Sequence, residues 1–165
     1  MIPVSTRQSI FLHGINIDKP ILEFADLAVD PTAEINAGSP VRVDPTSGLV
    51  VAVTTNVKIA GLSKSNKNVY VDETFGSFGA YGSGKLAFVV KGICTVRHNY
   101  FINSAGAIVT VKTFDDTQTY APMAPLYVDG NGLITNDNTF ANSILGYVLV
   151  KPTTANVALQ FVLDC

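Results

Sequence analysis

The sequence predicts an all-β protein, a small β-barrel or β-sandwich with an extended N-terminal arm. Three observations support this prediction. Apolar and polar residues alternate in several stretches, turn residues separate short strand candidates, and one hairpin-like pattern occurs twice. The 165 residues suffice for one ordinary domain. We expect the arm to cover residues 1–36 and a single barrel domain to cover residues 37–165.

The clearest alternation lies in the middle of the chain. Leu86, Phe88 and Val90, and then Cys94 and Val96, keep a period of two, whereas the polar residues Lys91, Thr95 and Arg97 lie on the opposite phase. Gly92 falls between the two runs and predicts a bulge or a bend. On this phase, Cys94 shares a face with Leu86 and is a buried structural thiol, as is Cys165. The other strand candidates are residues 41–43, 49–53, 57–62, 69–72, 108–114, 126–128, 144–150 and 157–164.

One stretch of the arm has a helical pattern instead. Ile21, Phe24, Ala25 and Ala28 would share one helical face, and Asp30-Pro31 would end the helix. The sequence therefore predicts two helical turns over residues 21–28.

An internal repeat is the most informative feature of the sequence. Residues 40–50, PVRVDPTSGLV, resemble residues 125–134, PLYVDGNGLI, and a glycine follows each segment at Gly61 and Gly146. An aspartate bonds well to a turn backbone and a glycine allows positive φ, so each segment predicts a hairpin followed by a third strand. Two such units predict a barrel built from related halves. The alternative is a coincidence among common turn residues.

Composition indicates self-association and excludes some partners. Apolar residues form 47% of the chain. Charged residues form 15%, whereas ordinary domains contain about a quarter of charged residues. We expect a homo-oligomer, because a chain with so few charges exposes apolar surface; the alternative is a monomer with a large core. No basic cluster predicts nucleic-acid binding, no apolar run is long enough to span a membrane, and the first residues lack a signal-peptide pattern.

No motif predicts an enzyme, a cofactor or a metal site. Residues 79–85 match the phosphate-loop pattern GxxxxGK, but Leu86 replaces the required hydroxyl and a strand follows instead of a helix. Asp115 and Asp116 are neighbours that would face opposite ways on a strand, so we interpret them as part of a solvated loop. Cys94 and His98 lie about 13 Å apart if the strand continues, at ~3.3 Å per residue.

An aromatic, glycine-rich loop is a candidate contact between subunits. Phe75, Phe78 and Tyr81 recur every third residue among glycines. Exposed rings bury well at an interface, and glycines let the backbone adapt. The alternative is a loose hairpin tip.

Both repeat segments resemble a known family. AGSPVRVD at residues 37–44, with IAGL at 59–62, resembles the opening of tailed-phage capsid decoration (cement) proteins of the phage lambda head type. APLYVD at residues 124–129, with ILGYV at 144–148, resembles the second half of that family, and the similarity covers roughly residues 37–163. It implies a trimeric β-barrel on the outer surface of a virion, made in the host cytoplasm and bound to the major capsid protein. The arm and the aromatic loop are longer than the family pattern.

The resemblance implies that the arm engages the shell. Ile10, Phe11 and Leu12 are candidate capsid contacts, because an extended apolar segment adds well to an exposed sheet edge. Alternatively, this segment is the first strand of the barrel. Two other functions stay open: a carbohydrate- or host-surface-binding β module, for which Tyr81 and Tyr120 are the aromatic candidates, and a hydrolase, which would need a convergent histidine–carboxylate pair.

Overall fold

The computed structural model describes residues 15–33, 35–53, 58–64, 71–72, 76–77, 85–102, 105–140, 144–155 and 157–165. These residues contain no α-helix, and the all-β prediction is confirmed. A turn of 3-10 helix covers Asn138–Phe140. The strands in the described residues are β1 Ile15–Ala28, β2 Pro40–Val43, β3 Val50–Ala52, β4 Gly61–Ser63, β5 Val71–Asp72, β6 Gly76–Ser77, β7 Lys85–Arg97, β8 Asn99–Ile102, β9 Ile108–Val111, β10 Pro125–Val128, β11 Ile134–Thr135, β12 Gly146–Val150 and β13 Ala158–Asp164.

Nine strands form one antiparallel sheet that curls into a half-barrel. Its order is β11-β10-β12-β13-β7-β4-β2-β3, and β1 pairs with the other edge of β7. The strands β5 and β6 form a small hairpin, and so do β8 and β9. β7 pairs with β1, β4 and β13 and therefore joins all parts of this sheet.

In the described part of the chain the sheet already includes Ile15, whereas the domain was predicted to start at residue 37. β1 pairs with β7 from Ile15 opposite Val96 to Ala28 opposite Lys85. The helix predicted over residues 21–28 is wrong, because these residues lie within β1. The hydrogen bonds and contacts that β1 makes with the thirteen-residue strand β7 outweigh the helical preference of a two-turn apolar pattern, because local propensity is weak.

The predicted repeat is present in the register of the strands. Val41 lies opposite Gly61, and Leu126 lies opposite Gly146, so both pairs are related by an offset of 85 residues. A Cβ atom on Gly61 would collide with the carbonyl oxygen of Val89, and one on Gly146 would collide with that of Val162. Glycine is thus required at both positions because the next strand passes so close.

The repeat extends beyond the segments that the sequence identified. Val29 forms a parallel bridge with Val50, and Phe114 forms the same bridge with Ile134. Further on, Phe88 pairs with Ser63 in β4, and Phe161 pairs with Val148 in β12. We call residues 29–63 and 86–90 unit A, and residues 114–148 and 159–163 unit B.

Each unit has its own hydrophobic core. The buried residues of the unit A core match members of the unit B core one to one: Val29, Ile35, Val41, Val50, Leu86 and Phe88 correspond to Phe114, Tyr120, Leu126, Ile134, Leu159 and Phe161. The unit B core is larger because it also takes side chains from unit A, among them Ile59, Leu62 and Val89. The two units therefore pack through the unit B core.

β7 contributes to both cores because neighbouring residues on a strand face opposite sides, and its alternation shifts by one residue near Gly92. Phe88 lies in the unit A core, whereas Val89 and Cys94 lie in the unit B core. Gly92 has φ 152°, which non-glycine residues rarely adopt, and the register with β1 shifts beside it. The predicted bulge is present, but the prediction that Cys94 shares a face with Leu86 is wrong. The bulge rotates the second half of the strand toward the other core.

Candidate functional site

The residues predicted to contact a capsid or another subunit lie outside the described residues. This holds for Ile10, Phe11 and Leu12 in the arm and for Phe75, Phe78 and Tyr81 in the aromatic loop. Within that loop the structure describes only the backbone pairing of β5 with β6. These two contacts stay predictions.

A surface pocket lies beside unit B. It has a volume of about 510 Å³ and lies where residues 114–120 approach the connection between β12 and β13. Its lining combines hydroxyl, amide and charged side chains with a few apolar ones: Phe114, Asp116, Gln118, Thr119, Tyr120, Lys151, Pro152, Thr153, Thr154 and Val157. Such a lining offers hydrogen-bond donors and acceptors to a polar ligand.

The wall of the pocket is built by a turn at Asp115. Its Oδ1 atom accepts hydrogen bonds from the backbone N–H of Thr117 at 3.0 Å and from the Thr117 hydroxyl at 2.6 Å. Asp30 and Thr32 make the same two bonds in unit A. Asp115 is therefore a turn residue of the repeat, and its carboxylate is used for structure.

Asp116 instead joins a cluster of charged and titratable groups. The Nζ atom of Lys112 lies 2.6 Å from one carboxylate oxygen, and Nε2 of His98 lies 3.5 Å from the other. The hydrogen bond from Lys112 lowers the pKa of Asp116, and nearby positive charge adds to this effect. The Asp116 carboxylate therefore stays ionised well into the acidic range.

His98 is held in a buried position against the pocket wall. Its ring stacks on Phe114 with 4.3 Å between centroids, and its Nδ1 accepts a hydrogen bond from the backbone N–H of Thr113 at 3.3 Å. Burial lowers the pKa of His98, Lys112 lowers it further, and Asp116 opposes both. The imidazole is therefore neutral at pH 7, with its proton on Nε2 facing Asp116 at a distance too long for a good hydrogen bond.

Tyr120 is part of the core and does not form a stacking platform. It is buried, its ring packs edge-on against Phe114, and its hydroxyl lies 2.8 Å from the carbonyl oxygen of Asp115 and 3.0 Å from that of Ile134. Burial also raises the pKa of its hydroxyl far above the usual value. The prediction that Tyr120 is an exposed aromatic for a carbohydrate is wrong, because unit B uses it where unit A uses the buried Ile35.

The two cysteines are core or near-core thiols. Cys94 is buried in the unit B core, and Cys165 is half-buried against it. Burial raises the pKa of the Cys165 thiol to about 12, with the neighbouring Asp164 adding to the effect. In the described residues no three His, Cys, Asp or Glu side chains come together as a metal site. No helix of the described chain is long and apolar enough to cross a membrane.

The contact between His98 and Asp116 was missed by sequence reasoning. The hairpin of β8 and β9 folds the chain back, so that Thr113 lies beside Arg97 and donates its hydroxyl to that residue's carbonyl oxygen. A turn signal was available, since Gly106 with φ 80° lies between the two strands. Recognising it would have placed residues 97–98 next to residues 112–113.

Comparison with known proteins gives no relative: no family model, no curated protein and no solved structure matches the chain.

Proposed function

We propose that this protein is a structural virion component that binds the outer surface of a tailed-phage capsid and stabilises the shell. One observation carries the proposal. The two segments that resemble decoration proteins, residues 37–62 and 124–148, form two equivalent three-stranded units with identical register, Pro40 opposite Leu62 and Pro125 opposite Tyr147. A resemblance built on glycine and aspartate positions gains weight when those positions have the same structural role in both halves.

In this proposal the mechanism is thermodynamic. A protein that binds the mature shell and not its precursor stabilises the mature state by mass action. The partner is the major capsid protein, and the decoration protein is a homotrimer whose copies each bind modestly and add up through multivalency. The place of action is the outer face of the virion, after synthesis in the host cytoplasm.

The arm is the proposed anchor. Residues 1–14 precede β1, and β1 pairs with β7 along one edge while its other edge has no partner strand in the described part of the chain. Ile10, Phe11 and Leu12 would add to a sheet edge of the capsid protein through main-chain hydrogen bonds. Apolar side chains at alternate positions would then provide selectivity.

Deleting residues 2–14 tests this anchor while keeping every described strand, the first of which begins at Ile15. We expect the truncated protein to keep its thermal unfolding midpoint and its oligomeric mass but to lose co-sedimentation with capsids that lack their decoration protein. A sharper variant replaces Ile10, Phe11 and Leu12 with serine, and Ile108→Ser, at an exposed position of β9, is the matched control. Full capsid binding by both arm variants would overturn the anchor, and no binding by the intact chain would overturn the proposed function.

A second candidate is a carbohydrate- or host-surface-binding module. The pocket near Asp116, with the hydroxyls of Thr119, Thr153 and Thr154, is the observation in its favour. Titration of isotope-labelled protein with a panel of neutral monosaccharides would shift the amide signals of residues 116–120 and of Lys151, Thr153 and Thr154 if the pocket binds sugar. Unchanged signals at millimolar sugar would remove this candidate.

A further inference from the structure

Because the two units repeat, each unit A residue that is buried between the units can be compared with the equivalent residue of unit B. On unit A, Ile59 is 3% exposed and Leu62 is 0% exposed, because the unit B core covers them. Their counterparts 85 residues later, Ile144 and Tyr147, are 43% and 38% exposed. Unit B therefore presents to solvent the same apolar surface that unit A buries.

We call this exposed surface the tail surface of unit B: Ile144, Tyr147, Val150 and Val162. Tyr147 pairs with Val162, and a bulge after Val148 places Val150 opposite Gln160, on the same side of the sheet as Tyr147. Val150 is exposed and Val162 is half-buried, whereas Val89, the unit A counterpart of Val162, is completely buried. Tyr147, Val150 and Val162 share one face of two neighbouring strands, and Ile144 lies two residues before β12.

The opposite side of the interface shows the same asymmetry. In unit B, a Cβ atom on Gly132 would lie 2.6 Å from the carbonyl oxygen of Val53 in unit A, and Val128, which precedes this turn, is buried in the unit B core. A Cβ atom on Gly48, in the equivalent turn of unit A, would have no atom within 4 Å.

The counterpart of Val128 is also open. Val43, which corresponds to Val128, is 39% exposed. We call Val43 and the Gly48 turn the head surface of unit A.

We infer that a second copy of this chain covers the tail surface of unit B with its own head surface of unit A, reproducing between molecules the interface that joins the units within one molecule. The inference rests on the repeat and not on capsid binding. The two surfaces are complementary, because the corresponding surfaces already pack together inside one molecule: the unit A residues that match the tail surface are buried in the unit B core. The proposed homotrimer thereby acquires a defined interface.

Such an interface is heterologous, because the two contributing surfaces differ. Heterologous contacts close into a ring when the rotation between copies is suitable and otherwise grow into filaments. Three copies would place six units around a ring in which every head surface meets a tail surface. A two-fold dimer, in contrast, would join identical surfaces.

Surface-blocking variants test the inference. Val43→Glu blocks the head surface, Tyr147→Glu blocks the tail surface, and Val150→Glu is a second tail variant at a more exposed position in case Tyr147→Glu fails to fold. Ile108→Glu is the control, because it adds the same charge at an exposed residue outside both surfaces. Circular dichroism and thermal unfolding show whether each variant is folded.

Light scattering at micromolar concentration gives the mass. We expect a multiple of 17.5 kDa for the intact chain and for Ile108→Glu, and the monomer mass for each blocked variant. The decisive sample is an equal mixture of Val43→Glu with a tail variant. One retains an intact tail and the other an intact head, so the mixture should form a dimer that grows no further.

Three outcomes would overturn the inference: a monomeric intact chain, blocked variants that keep the full mass, or a mixture that stays monomeric. Capsid co-sedimentation of the same variants is measured separately. An oligomer that does not bind capsids would count against the proposed function alone, and a monomer that binds capsids would count against the inference alone.

Discussion

Gly38 and Met123 occupy the same place in the two units. The backbone N–H of each donates a 2.8 Å hydrogen bond to a carbonyl oxygen 25 residues later, that of Ser63 for Gly38 and that of Val148 for Met123. Both have positive φ, 83° for Gly38 and 65° for Met123. A conformation that suits glycine is thus imposed on a methionine by the repeat.

Replacing Met123 with glycine should therefore stabilise the protein. A side chain in the left-handed region costs roughly 1–2 kcal/mol, while glycine loses about 0.4–1 kcal/mol through the greater freedom of its unfolded chain. We expect a net increase of up to about 1 kcal/mol in the free energy of unfolding, measured by urea denaturation. Gly38→Ala, the reverse change in unit A, should lower it. A loss of stability in Met123→Gly would contradict this account.

The turn glycines Gly48 and Gly132 provide a matched pair. Alanine at either position is strained by the positive φ, 72° and 79° respectively, at a cost of roughly 1 kcal/mol. At Gly132 the added Cβ also meets the carbonyl oxygen of Val53, and overpacking of this kind costs about 1–3 kcal/mol more. We expect Gly132→Ala to be clearly more destabilising than Gly48→Ala when both are measured in the Tyr147→Glu background, which leaves the Gly48 turn uncovered. Equal losses would show that the Gly132 turn relaxes away from Val53.

Stability should depend on pH through His98. Because burial lowers its pKa in the folded protein, the unfolded chain binds a proton more readily, and stability is lost as pH falls below the ordinary value of 6.5. The loss should continue until pH reaches the lowered pKa of the folded state. Asp116, ionised throughout this range, and Lys112 are the charged groups that face the ring.

The variant His98→Asn isolates this effect, because its amide oxygen can still accept the Thr113 N–H. We expect its unfolding midpoint to vary less between pH 7 and pH 5 than that of the unchanged protein, whatever its absolute stability. The same slope in both proteins would assign the pH dependence to other groups.

Both thiols should react slowly in the folded protein. Cys94 is inaccessible in the unit B core, and the raised pKa of Cys165 leaves little thiolate at pH 8. Labelling with a thiol reagent should be slow in buffer and fast in denaturing urea, and Cys94→Ala should cost about 1 kcal/mol. Rapid labelling of Cys94 in buffer would contradict its place in the core.

The repeat could be predicted from the sequence because its determinants are backbone requirements. Asp44, Gly48 and Gly61 recur as Asp129, Gly132 and Gly146, and turns or close strand contacts need these residue types. The upstream part of the repeat had a weaker signal. Asp30 and Thr32 recur as Asp115 and Thr117, but short-range pairs of this kind are common in unrelated turns.

Other features depend on long-range pairing and could not be predicted. The residues of β1 have an apolar spacing that favours a helix in isolation, and only the length of β7 beside them decides for a strand. Gly92 indicated a bulge, but a single glycine does not show which core the strand turns to. The contact between His98 and Asp116 likewise needs the β8–β9 hairpin, which local pattern alone left undefined.

The position of β7 between the two cores should make the two halves of the molecule unfold together. Phe88 and Val89 are neighbours on one strand but lie in different cores, so neither core can open without displacing a residue that supports the other. Two independent halves would unfold in two separate transitions, because each would be its own cooperative unit. A strand held in common leaves one cooperative unit, in which the calorimetric and van't Hoff enthalpies of a chain kept monomeric by Val43→Glu should coincide.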